Sequence, residues 1–111
     1  MLTGNHILFL KTHDRNTGKQ CVNSVYYREF GENYIVVAAN DDESQKPDWY
    51  LNIKAEPSVE IEIDGMERFA TATTPVRRER MKIWPLVEAL SRDIERRLPR
   101  NVSAVVLTPL D

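Results

Sequence analysis

Residues 59–63 alternate strictly: Val59, Ile61 and Ile63 point one way, Glu60 and Glu62 the other. Asp64-Gly65 follows, the dipeptide of a tight hairpin turn, and residues 66–73 return with Phe69 and a Thr/Ala alternation. A hairpin with one acidic face has to bury the other, so it demands a sheet partner. Immediately upstream, Pro47 suits the first turn of a helix, where its missing N–H costs nothing. Trp49 and Ile53 then share one helix face, and Pro57 ends the helix by pushing Glu56 toward an extended conformation. A helix this short is unstable alone, so its Trp must close a core or flank a ligand.

The rest of the chain repeats this cadence. Residues 6–12 form an apolar run consistent with a buried strand. Asp14-Arg15-Asn16-Thr17-Gly18-Lys19 is a turn by composition, with Gly18 able to take a positive φ. Residues 21–29, rich in Val and Tyr, predict a second strand, and residues 34–39 a strand covered on both faces. Thr74-Pro75 predicts a helix start. Val76, Ile83, Val87, Leu90 and Ile94 follow at helical spacing, with Pro85 predicting a kink or break after Trp84. Residues 102–107 predict a closing strand.

Five or six mostly antiparallel strands, a short inserted helix and a late helical segment point to a mainly β domain spanning 1–111. Consecutive hairpins favour closure into a small barrel filled by side chains. A ligand would then bind outside the barrel or between subunits, and burial of long strands favours a homodimer.

Composition excludes several classes of function. A chain of 111 residues with 41% hydrophobic and 29% charged residues is ordinary for one soluble domain. Net charge is −2, so nothing draws nucleic acid. Residues 1–74 carry 7 Lys/Arg against 12 Asp/Glu and residues 75–111 carry 8 against 5, the excess cations lying on the amphipathic late helix. Cys21 is the single cysteine, which excludes an intramolecular disulfide and favours the reducing cytoplasm. The short run at Ile7-Leu8-Phe9-Leu10 is neither a membrane span nor a signal sequence.

No catalytic constellation emerges. His6 and His13 lack zinc-type partners, Cys21 has no activating neighbour, and Ser24 lacks a nucleophile elbow. Two features remain. The 14–19 loop offers Arg15, Lys19, the Thr17 hydroxyl and backbone N–H groups around Gly18, which reads either as a phosphate cradle or as an ordinary hairpin turn. Tyr26, Tyr27, Trp49 and Tyr50 could flank a planar heterocycle or pack a core.

Five segments in order resemble the deazaflavin-dependent nitroreductase family, a branch of the split β-barrel flavin-binding superfamily. Asp14-Arg15-Asn16-Thr17-Gly18 stands where that family has Gly-Arg-Lys-Ser-Gly, and Val22-Asn23-Ser24-Val25-Tyr26-Tyr27 resembles its Val-Asn-Pro-Leu-Tyr-Tyr strand. Ile35-Val36-Val37-Ala38-Ala39-Asn40 matches its Val-Ala-Ser strand end. Pro47-Asp48-Trp49-Tyr50-Leu51-Asn52-Ile53-Lys54-Ala55-Glu56-Pro57 resembles its signature Pro-x-Trp-Tyr-x-Asn-Leu-x-Ala-Asn-Pro, and residues 78–85 its Pro-containing helix. The departures are Asp14 for Gly, Asn16 for Lys, Asp41-Asp42-Glu43 for Lys-Gly-Gly, and residues 91–97 for a tyrosine-rich segment.

The resemblance implies a split barrel whose reduced 8-hydroxy-5-deazaflavin coenzyme (coenzyme F-420) passes hydride to a small organic acceptor. The ring carries the chemistry, so no catalytic side chain and no metal are expected. It implies Arg15, Asn16, Thr17 and Gly18 at the coenzyme's phosphate, and Tyr26, Ala38, Asn40 and Trp49 near the coenzyme. The alternatives are FMN held by Arg15, Thr17 and Lys19, or a barrel without coenzyme acting as a dimeric binding module. The acidic residues at 41–43 favour the last, and the retained Arg15, Gly18 and Trp49 favour the two coenzyme readings.

Overall fold

The structure, a computed structural model, describes residues 6–39, 46–94 and 102–110. Strand β1 (Ile7–His13) pairs antiparallel with β2 (Gln20–Tyr26), Ile7 opposite Tyr26 and His13 opposite Gln20. Next come β3 (Arg28–Phe30), β4 (Asn33–Ala38), helix α1 (Asp48–Ala55) and the hairpin β5 (Ser58–Ile63) and β6 (Met66–Thr73). Helix α2 (Arg77–Asp93) and strand β7 (Ser103–Pro109) complete the order. All pairings are antiparallel, in the sheet order β2-β1-β5-β6-β7-β4-β3.

The two outermost strands of that sheet, β2 and β3, are joined by one residue, Tyr27. A sheet whose edges are consecutive in the chain has to curl toward closure, and the result is a split barrel. Tyr27 is the corner. Its N–H donates to the His6 carbonyl at 2.8 Å, and its ring turns inward, edge-on to Tyr34 at 5.4 Å and to His6 at 5.8 Å. The expected single strand over 21–29 is therefore two strands, and among the described residues the sheet has seven rather than five or six.

The interior is lined by alternate residues: Leu8 and Leu10 from β1, Val59 and Ile61 from β5, Val36 and Ala38 from β4, Val105 and Leu107 from β7. Trp49, Tyr50 and Ile53 of α1 join this core. Burying each of those side chains contributes roughly 1.5–3 kcal/mol, which holds a helix too short to stand alone. A second layer lies between the outer face of the sheet and α2, where Ile83 and Val87 meet Ile35, Ala104 and Val106. Strand β4 is thus apolar on both faces because both faces are covered. The Asp64-Gly65 turn has φ of 52° and 82°, the two positive angles that a tight hairpin of this hand requires.

Three local expectations change. Residues 6–12 are not buried throughout: Leu8, Leu10 and Thr12 face in, and Phe9 faces out at 46% exposure. Helix α2 is continuous through Pro85, which sits on its exposed side between buried Ile83 and Val87. There water can satisfy the Met81 carbonyl that proline cannot reach. The helix begins at Arg77, not at Thr74-Pro75, and the Thr74 side chain bonds Tyr50 instead of capping a helix.

Candidate functional site

The β1–β2 hairpin turns on the 14–19 loop, and every amide in it has a partner. Asp14 N–H donates to the Lys19 carbonyl and Gly18 N–H to the Asp14 carbonyl, both at 2.8 Å. Arg15 N–H donates to Asn52 Oδ1 at 3.2 Å, and Lys19 N–H to Thr17 Oγ1 at 3.2 Å. The remaining two, from Asn16 at 3.0 Å and Thr17 at 2.8 Å, converge on Asp14 Oδ2, which the Thr17 hydroxyl also reaches at 3.1 Å. Hydrogen bonds from the Thr17 and Asn16 amides and the Thr17 hydroxyl stabilise the charged form, so the Asp14 pKa lies below its usual value. Gly18, at φ +77°, provides the left-handed turn that closes the loop.

Helix α1 anchors this loop. Arg15 Nη1 donates to Asn52 Oδ1 at 2.9 Å, and its Nη2 lies 3.5 Å from the Asp48 carboxylate. Asn52 is 1% exposed, and its Nδ2 donates to the buried Thr12 hydroxyl at 3.2 Å. One amide side chain therefore ties together the helix, the end of β1 and the loop. Asp48 and Asn52 stand four apart and share a helix face, the one sequence signal that could have marked them as a pair facing the loop.

Trp49 is buried beside them with its ring edge-on to Tyr50 at 6.3 Å, and Ala38 shares the same core. Of the predicted site residues, Arg15 bonds α1 while Asn16, Thr17 and Gly18 bond within its loop, and Trp49 and Ala38 are buried in the core. Tyr26 lies apart from them. It is exposed opposite Ile7, six residues along β1 from His13, or roughly 20 Å away at the rise of a strand. Asn40 and Asp41-Asp42-Glu43 lie outside the described residues, as do 95–97.

Tyr50, one of the four aromatics read as flanking a heterocycle or packing a core, is buried in the core and carries a perturbed hydroxyl. Burial raises its pKa, but hydrogen bonds with Ser103 and Thr74 and the charges of Lys54 and Lys46 outweigh that and bring it below the usual tyrosine value. The two ammonium groups lie 5.9 and 6.0 Å from its ring centre. Among the described residues, no three His, Cys, Asp or Glu side chains cluster as metal ligands.

The family model "F420H(2)-dependent quinone reductase" matches residues 1–109. The chain belongs to that family. An F420H(2)-dependent quinone reductase of Mycobacterium tuberculosis is 31% identical over 108 residues, covering 91% of this chain and 72% of its own length. Two solved structures share the fold. One, described as a domain-swapped dimer, superposes with a TM-score of 0.77 at 24% identity, covering 96% of this chain and 83% of its own. The other, an F420-H2-dependent reductase, gives 0.70 at 20%, covering 96% and 97%.

For a member of this family the coenzyme's phosphate is the demanding group, because it needs converging donors. The loop fits a phosphate with its cations, Arg15 and the exposed Lys19, but not with its amides, whose convergent pair is held by Asp14. The loop amides read as free in the sequence are all engaged.

Proposed function

We propose that this chain takes hydride from the reduced deazaflavin coenzyme and delivers it to a quinone. The observation that supports this is the family match across almost the whole chain. The bound coenzyme would supply the two-electron chemistry, and the protein positions it and sets the local charge. On this reading Arg15, with Asn16, Thr17 and Gly18, lies at the phosphate end. Ala38 and Trp49 lie toward the ring, and Asn40, outside the described residues, is assigned there by the resemblance alone. Arg15 is suited to its part: its contact to Asp48, 89% exposed, is long and solvated, so a phosphate can replace it.

The assembly is read as a homodimer. Phe9, Val22, Tyr26 and Phe69 project from the outer face of β2-β1-β5-β6 at 46%, 55%, 46% and 66% exposure, around Lys11. A face on which these exposed apolar side chains surround the ion cluster of Lys11 with Glu60, Glu62 and Glu67 fits a second copy, and Tyr26 would belong to that contact. Among the described residues no helix is long and apolar enough to cross a membrane. With one half-buried thiol, Cys21, the reducing cytoplasm is the inferred compartment.

A barrel that has given up the coenzyme is the second reading, favoured by the Asp14 grip on the loop amides. Titration of the protein with the oxidised deazaflavin coenzyme and, separately, with FMN, followed by Trp fluorescence, separates the readings. Saturable binding of the deazaflavin supports hydride transfer. Binding of FMN alone favours the flavin reading, and binding of neither favours the module.

A further inference from the structure

Two adjacent amides and a hydroxyl aimed at one point make a site for an anion. In this chain the anion at that point is its own: Asp14 Oδ2 receives Asn16 N–H, Thr17 N–H and Thr17 O–H at 3.0, 2.8 and 3.1 Å. We propose that the Asp14 carboxylate is an intramolecular competitor of the coenzyme's phosphate, and that it sets the affinity of this chain for phosphate-bearing deazaflavin. The inference rests on the coenzyme reading above and concerns the same site.

Competition here has two parts. The carboxylate holds the donors a phosphate would use, and it places a negative charge beside any phosphate that approaches Arg15. The Arg15–Asp48 contact is much the weaker obstacle, being a single long pair to an exposed carboxylate. A phosphate can therefore replace Asp48 at Arg15 Nη2, while Nη1 keeps its 2.9 Å bond to Asn52 Oδ1, more readily than it can displace Asp14. The plainer account makes Asp14 only a turn-former whose carboxylate stitches the hairpin. The two accounts differ in sign: loss of a turn-former loosens the loop and gains no affinity, whereas loss of a competitor tightens binding.

The test compares wild type, Asp14→Gly and Asp14→Asn in equilibrium titrations with two probes, the full coenzyme and its phosphate-free deazaflavin nucleoside. Asp14→Gly frees the amides. Asp14→Asn keeps a carbonyl acceptor for the turn while removing the charge, so it guards against a variant that simply misfolds. Competition predicts at least about tenfold tighter coenzyme binding for Asp14→Gly, a smaller gain for Asp14→Asn, and no gain for the nucleoside. It also predicts that inorganic phosphate shifts the Asn16 and Thr17 amide resonances in Asp14→Gly and not in wild type. Unchanged or weaker coenzyme binding in both variants overturns the proposal while leaving the coenzyme reading intact, and so does an equal gain for the nucleoside. If wild type and both variants all fail to bind coenzyme, the coenzyme reading falls and the proposal with it.

Discussion

Asn52 and Arg15 are joined twice through one oxygen. Asn52 Oδ1 accepts the Arg15 backbone N–H at 3.2 Å and its guanidinium at 2.9 Å, while Asn52 Nδ2 donates to Thr12 at 3.2 Å. Asn52→Ala leaves a buried hydroxyl and a loop N–H without their partner. That is expected to cost about 1–3 kcal/mol, read as a lower urea midpoint with an unchanged slope. Amide exchange should quicken first at Arg15. An Asn52→Ala protein as stable as wild type would remove the anchor from this account.

Asp14 gives an acid-side prediction. Its folded pKa is lowered, so its contribution to stability is present above the ordinary carboxylate pKa and is lost as pH falls through the folded value. Wild type should therefore exceed Asp14→Asn in thermal stability at pH 7, and the gap should close on acidification below the carboxylate range. A gap independent of pH would mean that the charge on Asp14 is not what orders the loop.

Lys11 behaves in the opposite sense. Its Nζ lies 3.3 Å from Glu60, 3.4 Å from Glu62 and 3.4 Å from Glu67 on the outer face of the sheet. Desolvation lowers its pKa, and the three carboxylates more than reverse this, so the net shift is upward. A raised pKa contributes stability that is fully present below the ordinary lysine value and fades as pH rises through the folded one. Lys11→Met should then unfold more easily at neutral pH, where three carboxylates are left together. The deficit should shrink with added salt and again as the carboxylates protonate. Thermal melts across pH and salt check this, and a deficit indifferent to both would point to packing instead.

The fold was legible wherever one short window carried both pattern and punctuation. Val59 and Ile61 face inward, Asp64-Gly65 turns the hairpin, and Trp49 and Ile53 share the buried face of α1. Such signals need only neighbouring residues. The Tyr27 corner was hidden because nothing local marks a strand that changes partners. The helix through Pro85 was hidden because tolerance of proline there depends on which side faces water. In the site, loop composition revealed a Gly-closed turn, but not that Asp14 satisfies its amides. Asn52 bonds Thr12 and Arg15 across 40 and 37 residues, a separation at which sequence periodicity says nothing.

Hydride transfer itself tests the central claim most directly. Protein, reduced deazaflavin coenzyme and a soluble quinone are mixed without oxygen, and the coenzyme's absorbance is followed. The account predicts oxidation of the coenzyme that requires both protein and quinone, with a KM roughly tenfold higher in Arg15→Ala. Oxidation no faster than in the protein-free mixture, with coenzyme raised to about 1 mM, would contradict it.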